Sequence, residues 1–462
     1  MTREEEIIKE RLKKIDELRK LKINPYAYSF EKKNNSAELQ EKYKKIKSEE
    51  KTKDKAIVAG RVLSMRLMGK INFASLEDEK GKIQIIIEEG TAGKKLVDFF
   101  SKYVDSGDFI GVEGNVMRTK RGELSIDSQK IEILSKAMLP LPEKWHGLQD
   151  KEERYRKRYL DLIMESDVKR TFEVRTKIIE AIREFLNSKG FIEVETPLLQ
   201  PVYGGAEARP FKTHMHDLDM ELFLSISPEL YLKRLIVGGY EKVYTICKNF
   251  RNESIDREHN PEFTMMECYQ AYADYEDMMN LYEEIYEYAL KKLGKGSEIE
   301  YQGKKLSFKR PWPRVAMYDG LKKCGIDVKK MSDEQLLKKA KELKLEVDKE
   351  MSRGLLIAEL SKALVEPTLI QPSHLIDHTK ETTPLCKINR KNDELIERDE
   401  PFINAMEVGN IYSELNDPVV QKKLFEEQVK VMKVRGIGHP YDKDFFCLRV
   451  WNASLWWPRP WN

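Results

Sequence analysis

The sequence lacks the features that mark secreted, membrane-spanning or metal-stapled proteins. Its 462 residues hold only five cysteines (Cys247, Cys268, Cys324, Cys386 and Cys447), none in C-x-x-C spacing. That scatter fits free thiols in a reducing compartment and argues against a disulfide framework or a zinc site. No apolar run approaches the roughly 18–20 residues that a bilayer span requires. The opening stretch, MTREEEIIKERLKKIDELRK, is charged throughout and has no apolar signal core, so a cytoplasmic protein is expected. Net charge is also small, because 82 Lys and Arg nearly balance 79 Asp and Glu to leave +3. Overall charge therefore does not announce a nucleic-acid binder, and any such role must rest on local patches. Low-complexity segments and internal repeats are absent too.

What is present suits a soluble chain of two or three domains, with 40% hydrophobic and 35% charged residues. Residues 1–50 read as a helical extension, in which Ile7, Ile8, Leu12, Ile15, Leu18 and Leu21 recur at helical spacing. The pattern fits a docked apolar stripe and, equally, a basic helix lying on RNA phosphates. Residues 55–137 change to short β-rich runs parted by Gly, Asp and Lys turns, with a helical segment at 92–104. Five such strands predict a small barrel of the OB type, whose exposed face would carry Arg66, Phe73 and Gln84. Residues 138–165 form a linker that begins MLPLPEKWHGLQD. From 166 to 446, helices alternate with β-like runs such as LFLSISP, KVYTICKNFRN and EFTMMECYQAY. This predicts an α+β domain on a mostly antiparallel sheet, with 276–293 and 332–365 helical.

Three segments of that domain concentrate chemistry. FRNESIDREHNPEFTMMECYQAY (250–272) packs Arg251, Glu253, Arg257, His259, Asn260, Glu262 and Glu267 among apolar residues, which is costly unless each charge finds a partner. Strand alternation puts Phe263, Met265, Glu267 and Tyr269 on one face, bringing a carboxylate and a phenol together. Arg251 has the planar fork of donors that grips a phosphate. ERDEPFINAMEVGNIYSELNDP (397–418) is dense in acids, which fits a Mg²⁺ site or a solvated face. GGAEARPFKTH (204–214) is by itself only a glycine turn.

Taken together, these segments resemble the class II aminoacyl-tRNA synthetases. GFIEVETPLLQP resembles motif 1 of that family, which places Pro197 at a homodimer interface. FRNESIDREHNPEFTMMECYQAY resembles motif 2. The barrel followed by HGLQDKEERYRKRYLDL is similar to the subclass charging lysine, aspartate and asparagine. GGAEARPF, PELYLKRL, HNPEFTMMECYQAYADY and EVGNIYSELNDP are similar to its lysine-specific members. The resemblance implies ATP-dependent attachment of L-lysine to tRNA(Lys), with Mg²⁺ as cofactor. It assigns Gly205, Glu229, Glu267, Tyr269, Asn410, Tyr412 and Glu414 to a lysine pocket. Arg251, Glu253, His259, Asn260 and Phe263 are implied to bind ATP, with Arg251 catalytic at its α-phosphate. Glu400, Glu407 and Glu414 are implied metal ligands, and Arg66, Phe73 and Gln84 anticodon contacts. Departures are small: Ser254 stands where glycine is usual, and 371–386 looks longer than its counterpart. Alternatives are an aspartate or asparagine enzyme, a protein-lysylating paralogue (disfavoured by the barrel), or an inactive tRNA-binding remnant.

The tail, residues 447–462, breaks the resemblance. Motif 3 is expected there, a glycine-rich strand and helix bearing an arginine that packs on ATP. Instead CLRVWNASLWWPRPWN holds four of the six tryptophans and reads as neither a strand nor an amphipathic helix. Tryptophan has the single codon TGG, so a one-base forward shift turns Trp451, Trp456, Trp457 and Trp461 into glycine. With suitable codons the shifted string opens motif 3, which points to a frameshift near 445–447. The expectation is a catalytic sheet missing its middle and an impaired activity.

Overall fold

The computed structural model describes residues 2–141, 150–206, 208–256, 259–347, 351–383, 385–424 and 452–457. It divides into two compact units, residues 1–169 and 170–462. Cys447, residues 142–149 of the linker, Arg257 and much of the tail lie outside the described residues.

The first unit opens with α1 (Arg3–Lys20) and α2 (Ser36–Lys42). Thr2 and Glu5 form a capping box that satisfies the first free N–H groups of α1. This helix is docked: Ile15 and Leu18 are buried, and the buried Arg11 guanidinium donates to the carbonyls of Ser106, Ala137 and Leu139. The six-residue stripe does not all face inward, since Leu12 and Leu21 are exposed. Five strands follow: β1 (Lys51–Met68), β2 (Ile71–Glu77), β3 (Lys82–Glu88), β4 (Phe109–Arg118) and β5 (Leu124–Ser135). They close into a barrel in the order β1-β2-β3-β5-β4, bridged after β3 by the short α3 (Glu89–Ala92) and α4 (Lys94–Tyr103). Alternating Val and Ile residues, among them Val58, Val62, Ile85, Ile110 and Ile126, fill its interior. The predicted OB-type barrel and its inserted helix are thus present. Helices α5 (Lys151–Arg156) and α6 (Arg158–Met164) end the unit, tied by Arg154 and Arg158 to the buried Asp161.

The second unit begins within α7 (Ser166–Ser188). Short strands β6 (Ile192–Glu193), β7 (Leu199–Gln200), β8 (Lys212–Met215) and β9 (Met220–Leu224) lead to α8 (Glu229–Val237). The hairpin β10 (Lys242–Phe250) and β11 (Glu262–Ala271) precedes α9 (Tyr275–Lys292). A two-stranded β12 (Glu298–Tyr301) and β13 (Lys304–Ser307) comes next, then β14 (Arg314–Ala316) and α10 (Met317–Lys323). The stretch expected to be helical at 332–365 is two helices, α11 (Asp333–Glu342) and α12 (Arg353–Leu364). Strands β15 (Ser373–Thr379), β16 (Ile388–Asn389), β17 (Asn392–Ile403), β18 (Met406–Glu407), β19 (Asn410–Ser413) and β20 (Asn452–Trp457) complete the described order.

The main sheet runs β14-β15-β17-β19-β20-β11-β10-β6, with β16 and β18 also on β17. Only its two ends pair in parallel, so the expected mostly antiparallel sheet is observed. Met266 and Cys268 pack toward a core that includes Tyr282 of α9 and Trp312, leaving the opposite face of β11 for Glu267 and Tyr269.

The tail corrects an expectation. Asn452–Trp457 forms a strand that fills the middle of the sheet, antiparallel to both β11 and β19. Ladder hydrogen bonds use backbone groups, so any unstrained segment without proline can satisfy two open strand edges. NASLWW is such a segment, and it stops at Pro458, which has no N–H to donate.

Candidate active site and RNA-binding face

On the barrel, Arg66 stands opposite Phe73 across β1 and β2, and its guanidinium lies 5.5 Å from the ring centroid. Phe73 pairs with Ile86 and Ser75 with Gln84, so the alternation of β3 puts Gln84 on the same face. The structure therefore brings all three expected anticodon contacts together. Arg66 is exposed and Phe73 half-buried, while Gln84 is buried. Its amide donates to Glu123 at 2.7 Å and accepts from Ser125 at 2.9 Å. Glu123, just ahead of β5, escaped the sequence reading because a lone acid after a glycine turn carries no pattern.

In the second unit, four elements converge on one buried pocket. Helix α8 starts at Glu229, and its buried face is Glu229, Leu232, Lys233 and Ile236, an i, i+3, i+4, i+7 stripe with two charges in it. Gly205 backs this helix with φ of +87°, and a Cβ there would lie 2.8 Å from Glu229 Cβ. Only glycine suits both the left-handed backbone and the close approach. From β11, Glu267 accepts from Ser227 Oγ at 2.8 Å and from the Tyr269 hydroxyl at 3.1 Å. Burial, reinforced by the neighbouring Glu229 carboxylate, pushes the Glu267 carboxyl up to about 8. From β19, the Tyr412 hydroxyl donates to Glu229 at 3.2 Å. Glu414, one residue beyond β19, is buried with them.

Lys233 joins these parts. Its ammonium lies 2.5 Å from Glu229 and 2.6 Å from Glu414, and 5.6–5.9 Å from the rings of Tyr412 and Tyr269. The sequence reading missed Lys233, although its spacing of four from Glu229 is a helical ion-pair signal. Asn410 sits beside the pocket, accepting from Arg398 Nε at 3.0 Å.

The residues assigned to ATP are gathered less tightly. Arg251 leaves the end of β10, its amide donating to the Pro261 carbonyl at 2.8 Å, and its guanidinium lies 5.1 Å from the Phe263 ring. Glu253 accepts from the Arg209 amide at 3.4 Å, tying this loop to the segment after Gly205. His259 and Asn260 are exposed on the loop, bound locally to Asp256 and to the Glu262 carbonyl. Nothing joins these two to Arg251 or Phe263 among the described contacts.

Of the three acids assigned to metal, Glu400 and Glu407 share one face of the sheet near Arg398, which pairs with Glu400 at 2.6 Å. Glu414 instead stands in the buried pocket beside α8, against Lys233. Among the described residues no three such side chains are grouped closely enough to hold an ion unaided. The chemistry of Glu400 and Glu407 still fits Mg²⁺, since both offer hard carboxylate oxygens.

Comparison with known proteins agrees with this geometry. Residues 150–439 match the model of tRNA synthetases class II (D, K and N), and residues 56–134 match an OB-fold nucleic acid binding domain. The chain belongs to the class II tRNA synthetases of this D, K and N group. Among its relatives is a lysine–tRNA ligase from Thermotoga maritima, 49% identical over 95% of this chain and 88% of the relative. Another, from Carboxydothermus hydrogenoformans, is 46% identical over 95% of this chain and 90% of the relative. Lysine–tRNA ligase 2 of Methanosarcina mazei is 47% identical over 92% and 83% respectively.

Proposed function

We infer that this synthetase activates L-lysine with ATP and transfers it to the 3′ end of tRNA(Lys). One observation carries the lysine assignment: three carboxylates, Glu229, Glu267 and Glu414, are buried together with the hydroxyls of Tyr269 and Tyr412. A buried pocket that admits an aspartate side chain needs a surplus of cations, and one that admits asparagine needs neutral donors. The relatives' printed names support the same choice.

The chemistry needs no protein nucleophile. The lysine carboxylate attacks the α-phosphorus of ATP, pyrophosphate leaves, and lysyl-adenylate remains. A ribose hydroxyl of the tRNA then attacks the acyl carbon, releasing AMP. Arg251 is suited to the developing charge on the α-phosphoryl oxygens. Phe263 offers a face for adenine, with Glu253, His259 and Asn260 on the adjoining loop. Mg²⁺ bound with ATP would neutralise charge on the phosphates, and Glu400 and Glu407 would hold it. Arg66, Phe73 and Gln84 would meet the anticodon: the half-buried Phe73 ring offers a base a stacking face, with the exposed Arg66 charge beside it and Gln84 on the same face.

A homodimer is part of this proposal. Pro197 is exposed beside Leu198 and Leu199, and Ile192 is exposed on the same motif, an apolar edge suited to a second copy. No helix among the described residues is long and apolar enough to cross a membrane. A cytoplasmic translation enzyme fits that finding and the free thiols. ATP–pyrophosphate exchange by the frame-corrected chain, with lysine, aspartate and asparagine in turn, tests the assignment. Stimulation by lysine alone is the expected result, and stimulation by either other amino acid overturns it.

A further inference from the structure

The pocket of three carboxylates already contains an ammonium of the protein's own. Lys233 comes from the same helix as Glu229, one turn on, and its side chain is only 5% exposed. Its nitrogen bridges Glu229 on α8 to Glu414 beyond β19 and is flanked by the rings of Tyr269 and Tyr412. All four of those residues are among the ones assigned to the substrate's lysine.

The substrate's single side-chain ammonium alone could not balance such a site. Three ionised carboxylates packed this closely repel one another strongly in a low-dielectric interior. A resident cation offsets one of the three charges and holds two of the carboxylates, Glu229 and Glu414, at a fixed separation. Glu267 is different: its two oxygens are met by the Ser227 and Tyr269 hydroxyls, and it makes no ion pair among the described residues. A hydroxyl can turn to serve a newly arrived ammonium without leaving a buried charge stranded, whereas withdrawing Lys233 would strand two.

We propose that Lys233 is a resident positioning residue of the lysine pocket, whose ammonium occupies the Glu229–Glu414 position permanently and leaves Glu267 to receive the substrate's side-chain ammonium. The proposal rests on the lysine reading above and adds a specificity device to it. With one carboxylate left open, the pocket accepts one further ammonium at its base and disfavours a second.

Calorimetric titration of the full chain with lysine, using the wild type, Lys233→Met and Lys233→Ala, tests this. Lys233→Met should weaken lysine binding by about a hundredfold, as expected when one partner of a buried charge cluster is removed. Lys233→Ala leaves the space of a propylammonium ion. Added propylammonium chloride should recover at least about tenfold of its affinity and raise its melting temperature, as binding to the folded state alone requires. Tetramethylammonium chloride at equal ionic strength should do neither, and neither salt should shift the wild type. Wild-type affinity in Lys233→Met, or equal action of the two salts on Lys233→Ala, overturns the proposal. If the wild type itself binds no lysine, the functional reading fails, while the melting experiment still decides the role of Lys233. If Lys233→Ala does not fold alone, refolding in each salt replaces melting: recovery only with propylammonium supports the proposal, and recovery in neither overturns it.

Discussion

On β11 the phenol of Tyr269 donates to the Glu267 carboxylate at 3.1 Å, and both groups are shut away from water. Burial, with Glu229 close by, raises the Glu267 carboxyl from 4.5 to about 8. A carboxyl raised in the folded state favours folding below its unfolded value and loses that contribution as pH rises through its folded one. Between about pH 4.5 and 8, Glu267 should therefore make the empty protein less stable as pH climbs. Thermal melts of the wild type and Glu267→Gln should diverge over that window, the wild type falling relative to the variant. An incoming ammonium favours the ionised carboxyl, so lysine binding should release a proton near neutrality. Calorimetry in buffers of different ionisation enthalpy would detect it. Glu267→Gln should abolish the release and weaken lysine by about a hundredfold.

Arg251 and Phe263 form a second pair whose roles separate cleanly. The guanidinium lies over the ring at 5.1 Å, so each orients the other. In the frame-corrected chain, Phe263→Ala should raise the KM for ATP by about tenfold, from the lost stacking surface, and change kcat less. Arg251→Lys keeps the charge but loses the planar fork, and should lower kcat by about 100-fold. A variant pair with identical kinetic signatures would contradict the division.

The barrel face predicts an effect confined to the RNA step. Phe73→Ala should weaken tRNA(Lys) by about 1–3 kcal/mol, the usual worth of one base–aromatic stack, and Arg66→Ala should weaken it and lessen its salt dependence. Lysine-dependent pyrophosphate exchange by the frame-corrected chain should not change, because that step involves no tRNA. Gln84→Ala should act more broadly, since it also strands Glu123 and Ser125, which Gln84 joins.

Period-2 and period-3.6 patterns made most elements legible, and the barrel, β11 and α9 fall where those patterns put them. The face shared by Glu267 and Tyr269 was legible for the same reason. What escaped was whatever depends on distant partners. Lys233 reads as one more surface lysine until Glu414, far along the chain, closes on it. Arg11 reads as part of a basic helix face, yet three carbonyls bury it. Glu414 fitted both the metal set and the lysine set by motif, and only the fold puts it against Lys233. The strand at 452–457 was illegible because its residues have no strand periodicity. It is held by the open edges of its neighbours rather than by its own pattern.

That strand carries the last prediction. Register sets position 456 opposite Glu267 on one side and Asn410 on the other, and position 454 between Tyr269 and Tyr412. The tail therefore adds two residues to the rows that build the lysine pocket, one of them the bulky Trp456. Filling the slot repairs the sheet, but it does not supply the glycines or the arginine that the motif 3 resemblance calls for. A one-base shift changes Trp456 and Trp457 to glycine together, which a series of independent substitutions would not explain so simply. Reading the gene should show the shifted frame continuing into Ile-Asp-Arg, and any other continuation ends the idea. Trp456→Gly in the chain as written should strengthen lysine binding by relieving the row that holds Glu267 and Asn410. Pyrophosphate exchange should stay low in that variant and rise by about 100-fold or more only when the full shifted reading is restored, because charge stabilisation at phosphate is lost with its arginine. Equal exchange by the chain as written and the restored chain would refute the impairment.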